Sequence, residues 1–186
     1  MYKLKNHTGI KYIIWGGEDA NPNLKHSLST LNEVKLLHNT VHISISECIY
    51  QRLSSQNIPS VLIGFNLVDN NLFKPVETKG FKVFIFNGQT PGREHVYGKE
   101  IYTEIMRRLP QYSYILSHTL NEPYENMPNI YSQCFMMLRL TKYDGNANSV
   151  QECEAMNIPV VHNQSNYGLK WNTIEDIIQH IVLHKP

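Results

Sequence analysis

The chain has 186 residues, with 17 basic and 16 acidic side chains, nine histidines and a net charge of +1. That balance excludes a broad basic footprint, so nucleic acid is not an expected partner. No apolar run approaches the roughly 20 residues that span a bilayer, and the first segment, MYKLKNHTGIKYIIWGGEDA, has too short an apolar core for a secretory signal. Cys48, Cys134 and Cys153 lie far apart with no CxxC pair. Sparse, unpaired cysteines fit a reducing compartment and give neither a disulfide nor a zinc framework, so the expected location is the cytoplasm.

Taken in chain order, short runs rich in Ile, Val, Tyr and Phe predict strands at Lys11–Trp15, His42–Ser46, Val61–Phe65, Phe81–Phe86, Tyr112–Leu116, Phe135–Leu140 and Val160–His162. Between them lie helical patterns. In GKEIYTEIMRRL the side chains of Ile101, Ile105, Met106 and Leu109 share one face. At the C-terminus Ile174, Ile177, Ile178, Ile181 and Val182 repeat at helical spacing behind an Asn172-x-x-Glu175 capping box. Alternating strands and helices predict an α/β chain with a Rossmann-like, mainly parallel sheet flanked by helices. The stretch Asn66–Pro75 is rich in turn residues, which places a boundary near residue 76 and divides the chain into 1–75 and 76–186.

Open parallel sheets bind ligands beyond the carboxyl ends of their strands, often at helix N-termini. The loop after Phe86, Asn87-Gly88-Gln89-Thr90-Pro91-Gly92-Arg93, offers two glycines, backbone amides and a guanidinium for an anion. It is neither a Walker A loop nor a GxGxxG fingerprint; a plain connection from strand to helix is the other reading. The loop Thr141–Ser149 is small and polar, and a helix begins near Ser149. Asp144 and Glu152 lie eight residues apart across it, so both carboxylates can reach one cavity. Ser149-x-x-Glu152 also has the form of a capping box, which would give both residues a purely structural task, and Asp144 in an Asp-Gly pair fits a simple turn. Arg139, inside the apolar run FMMLRLT, requires an acidic or anionic partner if buried, or extends to water from the strand end. The histidines show no HExxH and there is no Asp-x-Asp, so no metal is expected.

At these residues the sequence resembles the retaining, nucleotide-sugar-dependent glycosyltransferases of the GT-B fold. Their signature of an acid, seven residues, Glu, a helix and a Pro-Val strand reads here Asp144-GNANSVQ-Glu152-CEAMNI-Pro159-Val-Val. MPNIYSQCFMMLRLT resembles the helix and strand before that signature, and VFIFNGQTPGR resembles the diphosphate loop. ISECIYQRL and FNLVDNNLFKPV resemble the last helix of the acceptor lobe and the linker, so the likeness covers roughly residues 40–165. Three positions depart from the pattern. Asp144 stands where Glu is usual, Asn157 stands where Gly precedes the Pro-Val strand, and Gln89 stands where Arg is usual. Asn can still adopt the left-handed conformation that such a Gly serves.

The resemblance implies a role for each matching position. Glu152 binds the ribose hydroxyls, Asp144 contacts the transferred sugar near its reacting centre, and Arg93 neutralises the leaving diphosphate. Gly88 and Gln89 belong to the diphosphate loop. Backbone at Gly145, Asn146, Ala147, Asn148 and Ser149 faces sugar and phosphates, with Arg139 as a further donor-binding residue. Backbone near Met127 meets the base, with Tyr131 packed behind it. Catalysis is therefore expected from Asp144, Glu152 and Arg93, with a UDP- or GDP-linked sugar as substrate and no cofactor. Residues 1–75 match only the rear part of an acceptor lobe, so a partner chain or a homo-oligomer is expected to complete the cleft. The expected acceptor is a sugar, a lipid-linked sugar or a protein. Two other functions stay open: a nucleotide-sugar-binding subunit of a split transferase, and a non-catalytic interaction protein with the same fold.

Overall fold

The computed structural model describes residues 2–64, 68–77, 80–88, 92–141, 144, 146–164 and 167–186, with the backbone alone for Tyr2, Lys3 and Glu18. The chain forms two compact units, the first made of residues 1–66 and 143–146, the second of 67–142 and 147–186. Among the described residues, no helix is long and apolar enough to cross a membrane.

The first unit runs α1 (Tyr2–Lys5), β1 (Lys11–Trp15), α2 (Lys25–Val34), β2 (Thr40–Ser44), α3 (Glu47–Ser55) and β3 (Ser60–Leu62). Its strands form a parallel sheet in the order β1-β2-β3. Strand residues alternate in direction, so Ile13 and Trp15 face a core containing Leu31 and Val34 of α2 and Ile49 and Leu53 of α3. Ser46 starts α3 by accepting a hydrogen bond from the Ile49 amide at 3.4 Å. Across the sheet Trp15 Nε1 donates to His42 Nδ1 at 3.1 Å. Burial lowers the His42 pKa, so the ring stays neutral and able to accept.

The second unit contains β4 (Lys82–Ile85), α4 (Lys99–Arg108), β5 (Ser113–Leu116), α5 (Met127–Ser132), β6 (Cys134–Leu138), α6 (Asn148–Ala155), β7 (Val160–Val161) and α7 (Ile174–His184). The strands are parallel in the order β5-β4-β6-β7. Both faces of this sheet are covered, as βαβ crossovers require. Val83 and Ile85 pack with Ile105 of α4 and Ile177 and Ile181 of α7, whereas Phe84 and Met137 pack with Tyr131 of α5 and Val150 and Cys153 of α6. A register shift beside Val83 leaves Phe135 as an extra residue in β6, so Phe135 and Met136 both join the α4–α7 core. Gly80 is required just before β4: a Cβ there would stand 1.9 Å from the Gln133 carbonyl.

All seven expected strands are present, with ends moved by up to two residues from those read in the sequence except at β3, which ends at Leu62; Phe65, the end read there, lies outside the described residues. Asn157 is left-handed, at φ 58°, and ends α6 as anticipated. Two expected caps are not as read. The box at α7 uses Thr173 and Asp176 in place of Asn172 and Glu175. Thr173 Oγ1 accepts from the Asp176 amide, and Asp176 Oδ2 accepts from the Asn172 and Thr173 amides at 2.9 Å, while Glu175 turns to Arg108. At α6 the residue before the helix is Ala147, with no side-chain cap. Ser149 and Glu152 therefore do not form the capping box their spacing permits.

Candidate functional site

The order β5-β4-β6-β7 contains a reversal. The chain leaves β4 for β5 on one side and returns past it to β6 on the other, which opens a crevice at the strands' carboxyl ends. A cavity of about 330 Å³ lies there, within the second unit and within the size range of small-molecule sites. Phe86, Ser117 and Arg139, each the first residue beyond β4, β5 and β6, line it. Phe84, Leu120 and Met127 add apolar wall, and Asn148, Ser149 and Glu152 bring in the first turns of α6.

Two charged groups are built into this wall. Arg139 is only 8% exposed. Its Cζ stands 4.0 Å from the centroid of the Phe86 ring, and Nη1 donates to Ser149 Oγ at 3.1 Å. The guanidinium thus lies close to the N-terminal turn of α6, where the helix amides also carry positive partial charge. Glu152 is 4% exposed, and its Oε2 accepts from Tyr131 Oη at 2.9 Å. Burial raises the Glu152 pKa, opposed by hydrogen bonds from Tyr131 and Tyr124 and by the Arg139 charge. Burial pushes the Tyr131 phenol well above its ordinary value, so it remains a donor to the carboxylate. The Tyr131 ring is wedged edge-on against Phe84, at a centroid distance of 5.1 Å.

The sheet thus brings together Met127, Arg139, Asn148, Ser149 and Glu152 of the residues expected from sequence. Ala147 precedes α6 and packs on the hydrophobic cluster beneath the cavity. Gly88 adopts φ 85°, and a Cβ there would come within 2.7 Å of the Tyr97 ring. Arg93 is exposed on the loop after β4 and does not line the cavity. The amides of that loop are not all open to an anion. Those of Glu94 and Gly92 hold the Glu94 carboxylate and keep its pKa below the usual range. Asp144 and Asn146 belong to the first unit. Gln89 and Gly145 lie outside the described residues.

Sequence reasoning missed the contribution of the loop after β5. Ser117, Leu120, Glu122 and Tyr124 all line the cavity, yet they form no motif. The usable signal was positional, since this loop also follows a parallel strand. It missed the support beneath as well. Asn87 is buried, and its Oδ1 accepts from the His118 amide and from Ser117 Oγ, both at 3.0 Å. Those donors fix the amide's orientation, so Nδ2 faces His118 Nδ1. The ends of β4 and β5 are locked side by side. Among the described residues, no three His, Cys, Asp or Glu side chains are grouped to hold a metal ion.

Comparison with solved structures finds the same fold in the crystal structure of a mutant of S. aureus TarM in complex with fondaparinux, alpha-GlcNAc-glycerol and UDP. The TM-score is 0.64 at 11% identity, and the match covers 96% of this chain and 44% of that one. No protein-family model matches the sequence, and comparison with curated proteins finds no match. At this identity the likeness is one of fold: parallel sheets flanked by helices, in a Rossmann-like arrangement of the GT-B kind.

Proposed function

We propose that the second unit binds a nucleotide sugar in the cavity at the ends of β4, β5 and β6, and that the protein is a retaining glycosyltransferase. The observation that carries this reading is the setting of Glu152. A carboxylate this deeply buried is costly unless it is bonded. Glu152 does not cap α6; it is held at the cavity wall by Tyr131. An ionised carboxylate so placed is a bidentate acceptor for a pair of ribose hydroxyls. Arg139 with the start of α6 provides the positive region for phosphates, and Phe84, Leu120 and Met127 the apolar surface for a base. UDP in the solved structure of the same fold supports a nucleotide as ligand.

In this reading the bond between the sugar's anomeric carbon and the diphosphate oxygen breaks. A bond to an acceptor hydroxyl forms on the same face, and the hydroxyl proton passes to the departing phosphate. Asp144 contacts the sugar at its reacting centre, and Arg93 offsets charge on the diphosphate. No metal or cofactor takes part. The chain spans less than half of the matched structure's length. In a second reading, another chain or a second copy supplies the acceptor side.

A melting-shift screen against UDP, GDP, ADP and their sugars tests the reading, because a ligand bound only to the folded state raises its stability. A shift with one nucleotide family is expected. Turnover of that sugar by the chain alone supports the transferase, and turnover only with a second chain supports the split enzyme. No shift with any nucleotide rejects both. Asp144→Asn is expected to keep donor affinity and lose turnover; equal loss of both would remove its assigned role.

A further inference from the structure

One carboxylate of the cavity has no task in the function proposed above. Glu122 lines the cavity beside Leu120, Tyr124 and Met127. Its Oε2 accepts a hydrogen bond from Asn126 Nδ2 at 2.6 Å, and Asn126 Oδ1 accepts from Asn129 Nδ2 at 2.8 Å. An ionised carboxylate can only accept. The Asn126 amide is therefore oriented by chemistry, with nitrogen toward Glu122 and oxygen toward Asn129. Asn126 holds the Glu122 carboxylate from outside the cavity lining, so the edge presented to the cavity is the carboxylate itself, an acceptor with two oxygens.

Nucleobases differ sharply in how they answer such an edge. Uracil offers a single N–H flanked by two carbonyl oxygens, which a carboxylate repels. Adenine and cytosine each offer an amino group beside an unprotonated ring nitrogen. Guanine alone offers two adjacent donors, N1–H and the N2 amino group, at the spacing of a carboxylate's oxygens, with the acceptor O6 next in line. We infer that Glu122, positioned by Asn126, selects guanine, so that the donor is a GDP-linked sugar. The apolar side chains of Leu120 and Met127 supply a surface against which a purine can pack. This inference rests on the nucleotide-sugar reading of the same cavity and narrows it to one base.

The test is calorimetric titration of the full chain with GDP, IDP, UDP and ADP, in the wild type and in Glu122→Gln. Inosine lacks only the N2 amino group, so the GDP–IDP pair probes one of the two proposed bonds without any mutation. Gln keeps an acceptor for Asn126 and replaces the second acceptor with a donor at nearly constant volume. GDP is expected to bind at least about tenfold more tightly than UDP or ADP, the scale of one bidentate pair between side chain and base. IDP should fall between, and Glu122→Gln should remove the preference. Equal affinity for GDP and IDP, a wild-type preference for UDP or ADP, or a guanine preference that survives Glu122→Gln would overturn the inference and leave the nucleotide-sugar site standing. Failure of every nucleotide to bind would remove both.

Discussion

The two sheets are built from the same parallel βαβ pattern, yet they are covered differently. β6 is buried along its whole length, Cys134–Leu138, because helices pack on both faces. β1 alternates: Trp15 is buried, while Tyr12 is 66% and Ile14 57% exposed. Val61 of β3, opposite Ile43 in the register, is also exposed. The first unit thus has one packed face and one apolar face open to solvent. The second has helices packed on both faces of its sheet, and that holds the ends of β4, β5 and β6 firmly enough to define a cavity. Rigid strand ends are what a binding site needs.

The largest expected effect lies in the doubly covered sheet. Phe135→Ala should destabilise the second unit by about 3–5 kcal/mol, the usual cost of deleting a buried aromatic ring, as read by chemical denaturation. A cost below about 1 kcal/mol would show that β6 is less tightly packed than its burial implies.

Tyr131→Phe keeps the ring against Phe84 and removes one donor to Glu152. Nucleotide affinity should fall by about 1.5–3 kcal/mol, the scale of a hydrogen bond to a charged group. The pH below which binding fades should rise, because the Glu152 carboxylate loses a bond that favours its ionised form. An unchanged affinity and pH profile would disconnect Tyr131 from the site.

The units should also respond to pH with opposite signs. The folded His42 pKa lies below its ordinary 6.5, so the unfolded chain takes up the proton first as pH falls. Its contribution is complete above pH 6.5 and is lost as pH drops through the folded value. At stake is the Trp15–His42 hydrogen bond, roughly 1 kcal/mol. The folded Glu152 pKa lies above its ordinary 4.5. Its contribution is complete below pH 4.5 and is lost as pH rises through the folded value. Acid should therefore loosen the first unit before the second. Trp15 emission in a Trp171→Phe background, against amide exchange in β6, reads the order of loss; simultaneous loss would erase the distinction. The smallest effect is expected at Ile14→Thr on the open face, within about 0.5 kcal/mol. A cost comparable to Phe135→Ala would mean that this face is covered in the folded protein.

Much of this architecture was legible in the residues. β-branched and aromatic runs marked each strand, and the spacing from Asp144 to Glu152 pointed to α6, whose Asn148, Ser149 and Glu152 line the cavity. What could not be read were choices between equally spaced groups. Ser149-x-x-Glu152 and Asn172-x-x-Glu175 both have the form of a capping box. Ser149 instead bonds Arg139, and Glu175 pairs with Arg108, at 2.8 Å. Arg139 illustrates the same limit. FMMLRL left burial and extension to water from the strand end equally open; the chain buries it, and its seat on Phe86 depends on strand order, which brings β4 beside β6. The Asn87–Ser117–His118 lock joins residues about thirty positions apart, beyond any local pattern.

The central claim is that Glu152 belongs to a nucleotide site. Calorimetric titration of wild type and Glu152→Ala with the nucleoside diphosphate that raises the melting temperature tests it most directly. The wild type should bind, and Glu152→Ala should remain folded and lose about 1.5–3 kcal/mol of affinity, the scale of a charged hydrogen bond. Equal affinity in a folded Glu152→Ala protein would contradict the claim and leave Glu152 as a partner for Tyr131 alone.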